Sequence, residues 1–265
     1  MIRLCVAGAT GRMGSTLIAE ALNKGSFEIV GAVAAPTDPG VGKTLRSLGI
    51  GNLDLTVVDP SRLREAVENA DVYVSFTTPD AEMANLPKVA DFGKRIVMGT
   101  TGFTDEQMNK LKSSVCSKVP AVFAPNFSIG VNFTLKMLKA MEVLPEDYEI
   151  SIVEAHHSKK RDAPSGTALA IANLISKLRG YRETVYGRSG ISQRRREEIE
   201  VLAVRGGGIP GIHEVVIAGP YDMITIKHVS FSRNAFAQGA LYAVEWIMKQ
   251  TKPGVYSMDD VLGGG

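Results

Sequence analysis

Two histidines, three consecutive cations and a Pro-Ser-Gly-Thr helix opening fall within fifteen residues, Glu154 to Ala168, reading E-A-H-H-S-K-K-R-D-A-P-S-G-T-A. Imidazole, with an unperturbed pKa of about 6.5, suits proton transfer at neutral pH, so His156 and His157 are candidate acids. A neighbouring ammonium favours the neutral ring, and an anion held by that ammonium reverses the effect. Lys159, Lys160 and Arg161 thus describe a site in which a small anion loads the proton donor. Pro164 suits a first helical turn, and Ser165, Gly166 and Thr167 would then point amides outward, where a carboxylate or phosphate binds. Taken singly, a basic loop is a solvated turn and a lone histidine is structural; the concentration of both in one loop argues for a site.

The elements that must hold this loop are legible on either side of it. Glu149–Val153 has the β-branched character of a strand, and residues 167–177 are apolar at helical spacing. The motif therefore sits on a strand-to-helix connection.

A second constellation opens the chain. Ile2–Ala7 reads as a buried strand, followed by Gly8-Ala9-Thr10-Gly11-Arg12-Met13-Gly14 and a helix through about Lys24. Glycines at that spacing, between a strand and an apolar helix, let the backbone approach a pyrophosphate at the helix N-terminus. Three more stretches run from apolar to small and polar: Val72–Asp80 with Phe76 and Thr77, Arg95–Gly102 with Gly99, Thr100 and Thr101, and Ala121–Gly130 with Pro125, Asn126 and Phe127. They place polar groups at the carboxyl ends of parallel strands, where ligands of α/β proteins bind. The strand Phe27–Ala34 ends in Ala35-Pro36, where NAD-selective folds often carry an acid, and Asp38 comes three residues later. No carboxylate at that point repels a 2′-phosphate, and Arg12 can neutralise one, so NADPH is permitted.

Forty-five per cent hydrophobic and 22% charged residues over 265 positions suit a globular protein of one large or two modest domains. A formal net charge of +2 carries no nucleic-acid signature. No run approaches the roughly 20 apolar residues of a membrane helix. Cys5 and Cys116 have no metal-ligand or disulfide spacing, and a strand pattern begins at once, leaving no room for a signal peptide. A cytoplasmic protein with neither metal, nucleic-acid nor membrane partner is expected.

Further along, Leu53–Val58 is expected as a strand and residues 61–69 as a helix, with another helix over Asn132–Glu142. From Tyr148 onward alternation becomes regular in Ile199–Val204, Glu214–Ala218 and Met223–Val229, which predicts an antiparallel or mixed sheet. The Phe236–Lys249 helix, containing Trp246, is expected to return to the first domain. The fold class is α/β: a Rossmann-like parallel-sheet dinucleotide domain (residues 1–127 and 236–265) plus an α+β substrate and oligomerisation domain with a mixed sheet (128–235). Arg188 and Arg194–Arg196 read as a solvated charge run, and His213 and His228 as structural.

These motifs, in this order over nearly the whole chain, resemble the 4-hydroxy-tetrahydrodipicolinate reductase (dihydrodipicolinate reductase) family of lysine and diaminopimelate biosynthesis. The resemblance implies that His156 donates the proton, that Lys160 holds and polarises the substrate, and that His157 and the amides of Gly166 and Thr167 bind it. It also implies NADPH or NADH on the loops at Gly8–Gly14, Phe76–Thr77, Gly99–Thr101 and Pro125–Phe127. The substrate would be a small cyclic dicarboxylate, and the assembly a homotetramer. Arg205 matches an arginine of the family's sheet. Two rivals keep the glycine loop: a two-domain amino-acid dehydrogenase, which need not keep the histidine–lysine loop, and a non-catalytic dinucleotide sensor, which would lose the acid.

Overall fold

β1 (Ile2–Ala7) buries four of its six residues in succession, as a strand covered on both faces must. The computed structural model describes residues 1–263, so the last two residues of the expected 236–265 segment lie outside the described residues. After β1 come α1 (Arg12–Lys24), β2 (Phe27–Val33), a 3-10 turn at Pro60–Arg62, α2 (Leu63–Val67), β3 (Val72–Ser75) and α3 (Pro79–Asp91). β4 (Arg95–Met98), α4 (Asp105–Val115) and β5 (Pro120–Phe123) follow. Every strand pair here is parallel, because each return path is a crossover on a face of the sheet.

The chain then builds a second unit, residues 129–232, from α5 (Ile129–Leu138), a 3-10 stretch at Lys139–Val143, β6 (Glu149–His156), α6 (Gly166–Arg179), β7 (Glu183–Val185), β8 (Glu198–Arg205), β9 (Ile212–Ala218) and β10 (Met223–Val229). From Arg233 it rejoins the first unit with α7 (Asn234–Ile247), β11 (Gly254–Tyr256) and α8 (Met258–Val261). Strand order is β11-β5-β4-β3-β1-β2 in the first sheet and β10-β9-β6-β8-β7 in the second.

The second sheet is mixed: β6 is parallel to β8 but antiparallel to β9, which is antiparallel to β10. Alternation along β6, β8 and β9 puts Ile150, Ile152, Ile199, Val201, Val215 and Ile217 on one face. There they pack against Ala168, Ile171, Ala172 and Ile175 of α6.

Two expectations fail. Leu53–Val58 is no strand of the sheet. Only Val58 bridges β2, while Leu45 and Val57 amides donate to Leu55 and Lys43 across a local hairpin-like fold. Gly49 and Gly51, at φ 69° and 145°, turn the chain back before it can run along the sheet.

The Arg194–Arg196 run is not solvated throughout. Arg194 is 15% exposed and donates to the carbonyls of Ile150 and Glu198 and to Ser151 Oγ. Arg188 and Arg195 both pair with Glu198, which is buried and needs cations. Arg195 is still 54% exposed, and Arg196, on Glu146, is mostly in solvent.

Candidate active site

In the first unit the predicted loops fall in one row. β5, β4, β3 and β1 are consecutive in the sheet, and each is followed at its carboxyl end by one of those loops. Gly11 caps α1 without a side-chain acceptor, and the first turn holds no acid, so the amides of Arg12 and Met13 open an uncompensated positive terminus. Gly8 and Gly14 make the turn possible. Gly8 has φ 73°, and a Cβ on Gly14 would lie 2.0 Å from the Gly8 carbonyl oxygen. This cradle fits a dinucleotide pyrophosphate.

Phe76 joins the other loops. Its ring lies edge-on to Phe127 at 5.9 Å and fills the space over Gly99, where a Cβ would come within 2.2 Å of it. Ala9 and Phe127 are buried, whereas Pro125 and Thr101 are exposed. Asn126 Oδ1 accepts from the Ser128 amide at 2.8 Å. Asp38 is nearer the glycine loop than its position in sequence suggests. The Asp38 amide bonds the Ala35 carbonyl, and that turn brings the Asp38 carboxylate to the Thr10 hydroxyl at 2.7 Å.

In the second unit the histidine loop is built around a carboxylate. Glu154, fully buried, lies two residues before His156 on β6. Its Oε2 accepts from His156 Nδ1 at 2.6 Å and from Arg205 Nη1 at 2.8 Å. Its Oε1 accepts from Arg205 Nη2 at 2.7 Å and from the Ser165 amide at 2.9 Å. Burial raises the Glu154 pKa, but the bonds from Arg205, His156 and Ser165 outweigh it, and the net shift is downward. An ionised carboxylate only accepts, so His156 carries its hydrogen on Nδ1 and leaves Nε2 as the working nitrogen. That nitrogen faces Gly211, at φ 150°, where a Cβ would stand 3.3 Å from it.

Arg205 reaches this position because His156 and Arg205 are register partners on adjacent strands. It also donates to the Asp162 carbonyl at 2.7 Å, tying down the loop. Lys160 Nζ lies 2.8 and 2.9 Å from the Asp162 carboxylate oxygens and is 20% exposed. His157 is half-buried, and its carbonyl accepts from the Lys160 amide. Ser165 caps α6 through the Ala168 amide, with Gly166 and Thr167 as the first two helical residues. Pro164 therefore lies before the cap and not in the first turn. The Ser165 amide is turned inward to Glu154, ahead of Gly166 and Thr167.

Sequence reasoning missed Glu154, Gly211 and the part played by Arg205. His213, read as structural, is buried, bonds Ser165 Oγ through Nε2 at 2.9 Å, and lies edge-on to His156 at 5.2 Å. Burial first, then His156, lowers its pKa to about 4. The unfolded chain takes this proton near pH 6.5 and the folded chain only near 4. Stability from this group is thus complete above 6.5 and falls by about 3 kcal/mol as the pH drops to 4. His213→Gln should flatten the fall in urea midpoint between pH 7.5 and 5.0. Part of the slope remains, because burial lowers His228 in the same sense. An unchanged slope would remove His213 from the account.

Family models described as dihydrodipicolinate reductase, N-terminus and C-terminus, match residues 2–127 and 130–262. A 4-hydroxy-tetrahydrodipicolinate reductase of Methanosarcina barkeri is 42% identical over 99% of this chain and 100% of its own length. One of Methanopyrus kandleri is 41% identical over 100% of this chain and 98% of its own. Among solved structures, a dipicolinate-bound dihydrodipicolinate reductase from Paenisporosarcina sp. TG-14 superposes with a TM-score of 0.78 at 25% identity, over 97% of each chain. With the two family models together spanning nearly all of it and relatives this similar along its full length, the chain belongs to the dihydrodipicolinate reductase family.

Proposed function

We propose that this protein is an NAD(P)H-dependent reductase that converts 4-hydroxy-tetrahydrodipicolinate to tetrahydrodipicolinate with loss of water, in lysine and diaminopimelate biosynthesis. The observation that carries the reading is the buried Glu154 carboxylate, which holds His156 Nδ1 on one oxygen and the Ser165 amide at the N-terminus of α6 on the other. A bound nicotinamide supplies the hydride. The first unit holds the dinucleotide on Gly8–Gly14 and on the loops at Phe76–Thr77, Gly99–Thr101 and Pro125–Phe127.

The second unit binds the substrate. Lys160 and the amides of Gly166 and Thr167 take its carboxylates, with His157 beside them. Reduction of a conjugated cyclic imine leaves a carbon that must take a proton, and His156 Nε2 gives it. Glu154 keeps that nitrogen outward and balances the positive charge of the protonated ring. The test follows loss of NADH or NADPH absorbance with freshly generated substrate; no turnover with either cofactor would overturn the reading.

Lys160→Met keeps the aliphatic stem and deletes the charge. Loss of one charge-assisted contact, about 1.5 to 3 kcal/mol, should lower kcat/KM by roughly one to two decades. Lys159→Met, at an exposed position, should do much less. Equal losses from the two would mean a diffuse basic surface in place of a pocket.

We also propose a cytoplasmic homotetramer, assembled through the face of the second sheet opposite α6. Val153, Leu202, Val204 and Val216 lie on that face, and Val204 is 47% exposed. A sheet face that sets these residues beside the paired Glu214 and Lys227 suits a second copy. A monomer by light scattering at micromolar concentration would contradict it.

A further inference from the structure

Glu82 is a fully buried carboxyl on α3 that the reaction scheme does not use. Its Oε1 accepts from the Thr77 hydroxyl at 2.6 Å and from the Thr100 hydroxyl at 2.5 Å. Thr100 Oγ1 in turn accepts from the Thr77 amide at 2.8 Å. One oxygen therefore joins the loop after β3 to the loop after β4 and fixes the orientation of both hydroxyls. Glu82 Oε2 is buried and makes no hydrogen bond of full geometry, although the buried Ser75 hydroxyl lies close enough to lower the carboxyl pKa. Burial pushes the carboxyl above its usual range, against the bonds from Thr100, Thr77 and Ser75. A buried carboxyl is costly where structure alone is at stake, since a leucine would fill the space. What a leucine lacks is one acceptor for two hydroxyls on separate loops.

We propose that Glu82 is a positioning residue for the dinucleotide, setting the spacing of the Thr77 and Thr100 loops that receive it. The assignment rests on the reductase reading and deepens it. Glu82 touches neither substrate nor cofactor; it acts through the two threonines.

The experiment measures KM for NADPH and NADH, kcat, KM for the dicarboxylate and the thermal midpoint in Glu82→Ala, Glu82→Gln, Thr100→Val and the Glu82→Ala/Thr100→Val double variant. Glu82→Ala should raise both cofactor KM values about ten- to a hundredfold, with kcat and the dicarboxylate KM within about threefold. Glu82→Gln keeps an oxygen that accepts both hydroxyls, so it should stay within about threefold of the parent. Thr100→Val should match Glu82→Ala, and the double variant should add little to either, because both break one network. If Glu82→Ala does not fold, Thr100→Val against Thr100→Ser decides on the same readings. Cofactor KM values within twofold of the parent in the folded variants overturn the proposal. So does a Glu82→Gln as impaired as Glu82→Ala, or a fall in midpoint with kcat and both KM values disturbed together. A parent chain that binds neither dinucleotide sinks the reductase reading itself; a parent that binds, with variants that bind equally well, sinks only the role of Glu82.

Discussion

His156→Gln is expected to lower kcat by roughly 10²- to 10⁴-fold, the range for loss of a general acid. Glutamine keeps the approximate length of the ring and removes the titrating nitrogen. Cofactor binding should survive, because the glycine loop belongs to the other unit and is untouched. The structure sharpens this expectation over what two adjacent histidines suggest. Only His156 has a ring nitrogen on the buried Glu154, so only His156 has a fixed tautomer. His157 has the same chemistry at a half-buried position without that bond to Glu154. The check is kcat at saturating substrate, with dinucleotide affinity measured by fluorescence. A variant within twofold of the parent kcat would move the role elsewhere, His157 first.

The His156 and Lys160 positions were legible because the whole motif lies within fifteen consecutive residues, and a strand-to-helix loop keeps sequence neighbours close. The dinucleotide loops were legible for a related reason. In a parallel sheet every strand ends on the same edge, so small polar residues after each apolar run converge there without knowledge of strand order.

The partners of Glu154 were not legible. Arg205 lies 51 residues away and reaches the carboxylate only through the register that pairs it with His156. An acid inside an apolar strand announces burial only once its cation is known. The Arg194 misreading has the same origin. A run of cations looks solvated until Glu198 is seen to be buried beneath it. Leu53–Val58 failed differently: its β-branched pattern is real, but two glycines upstream spend its hydrogen bonds on a local turn.

Glu154→Gln should produce the largest combined loss of stability and activity. The carboxylate accepts four hydrogen bonds, two on each oxygen: His156 Nδ1 and Arg205 Nη1 on Oε2, Arg205 Nη2 and the Ser165 amide on Oε1. Glutamine has the same shape but one accepting oxygen, and its amide nitrogen would meet donors on the other side. Whichever way it turns, at least one Arg205 contact or the His156 contact faces a like donor. Arg205 is 19% exposed and would lose its counter-charge, and breaking a buried pair by removing one partner costs about 3 to 5 kcal/mol. Since the Ser165 amide and the Asp162 carbonyl hang on the same network, the start of α6 and the Lys160 loop should loosen with it. The activity loss has a separate cause. Without the carboxylate the Nδ1 hydrogen is no longer imposed, and His156 Nε2 presents the wrong tautomer for part of the time. A fall in kcat of about ten- to a hundredfold is expected beyond any loss of folded protein, the range for losing an outer partner that orients an imidazole. The measurements are the urea midpoint at pH 7.5 and kcat per folded molecule. A midpoint shifted by less than about 1 kcal/mol, with kcat within twofold, would show that Glu154 neither holds the loop nor aims the histidine.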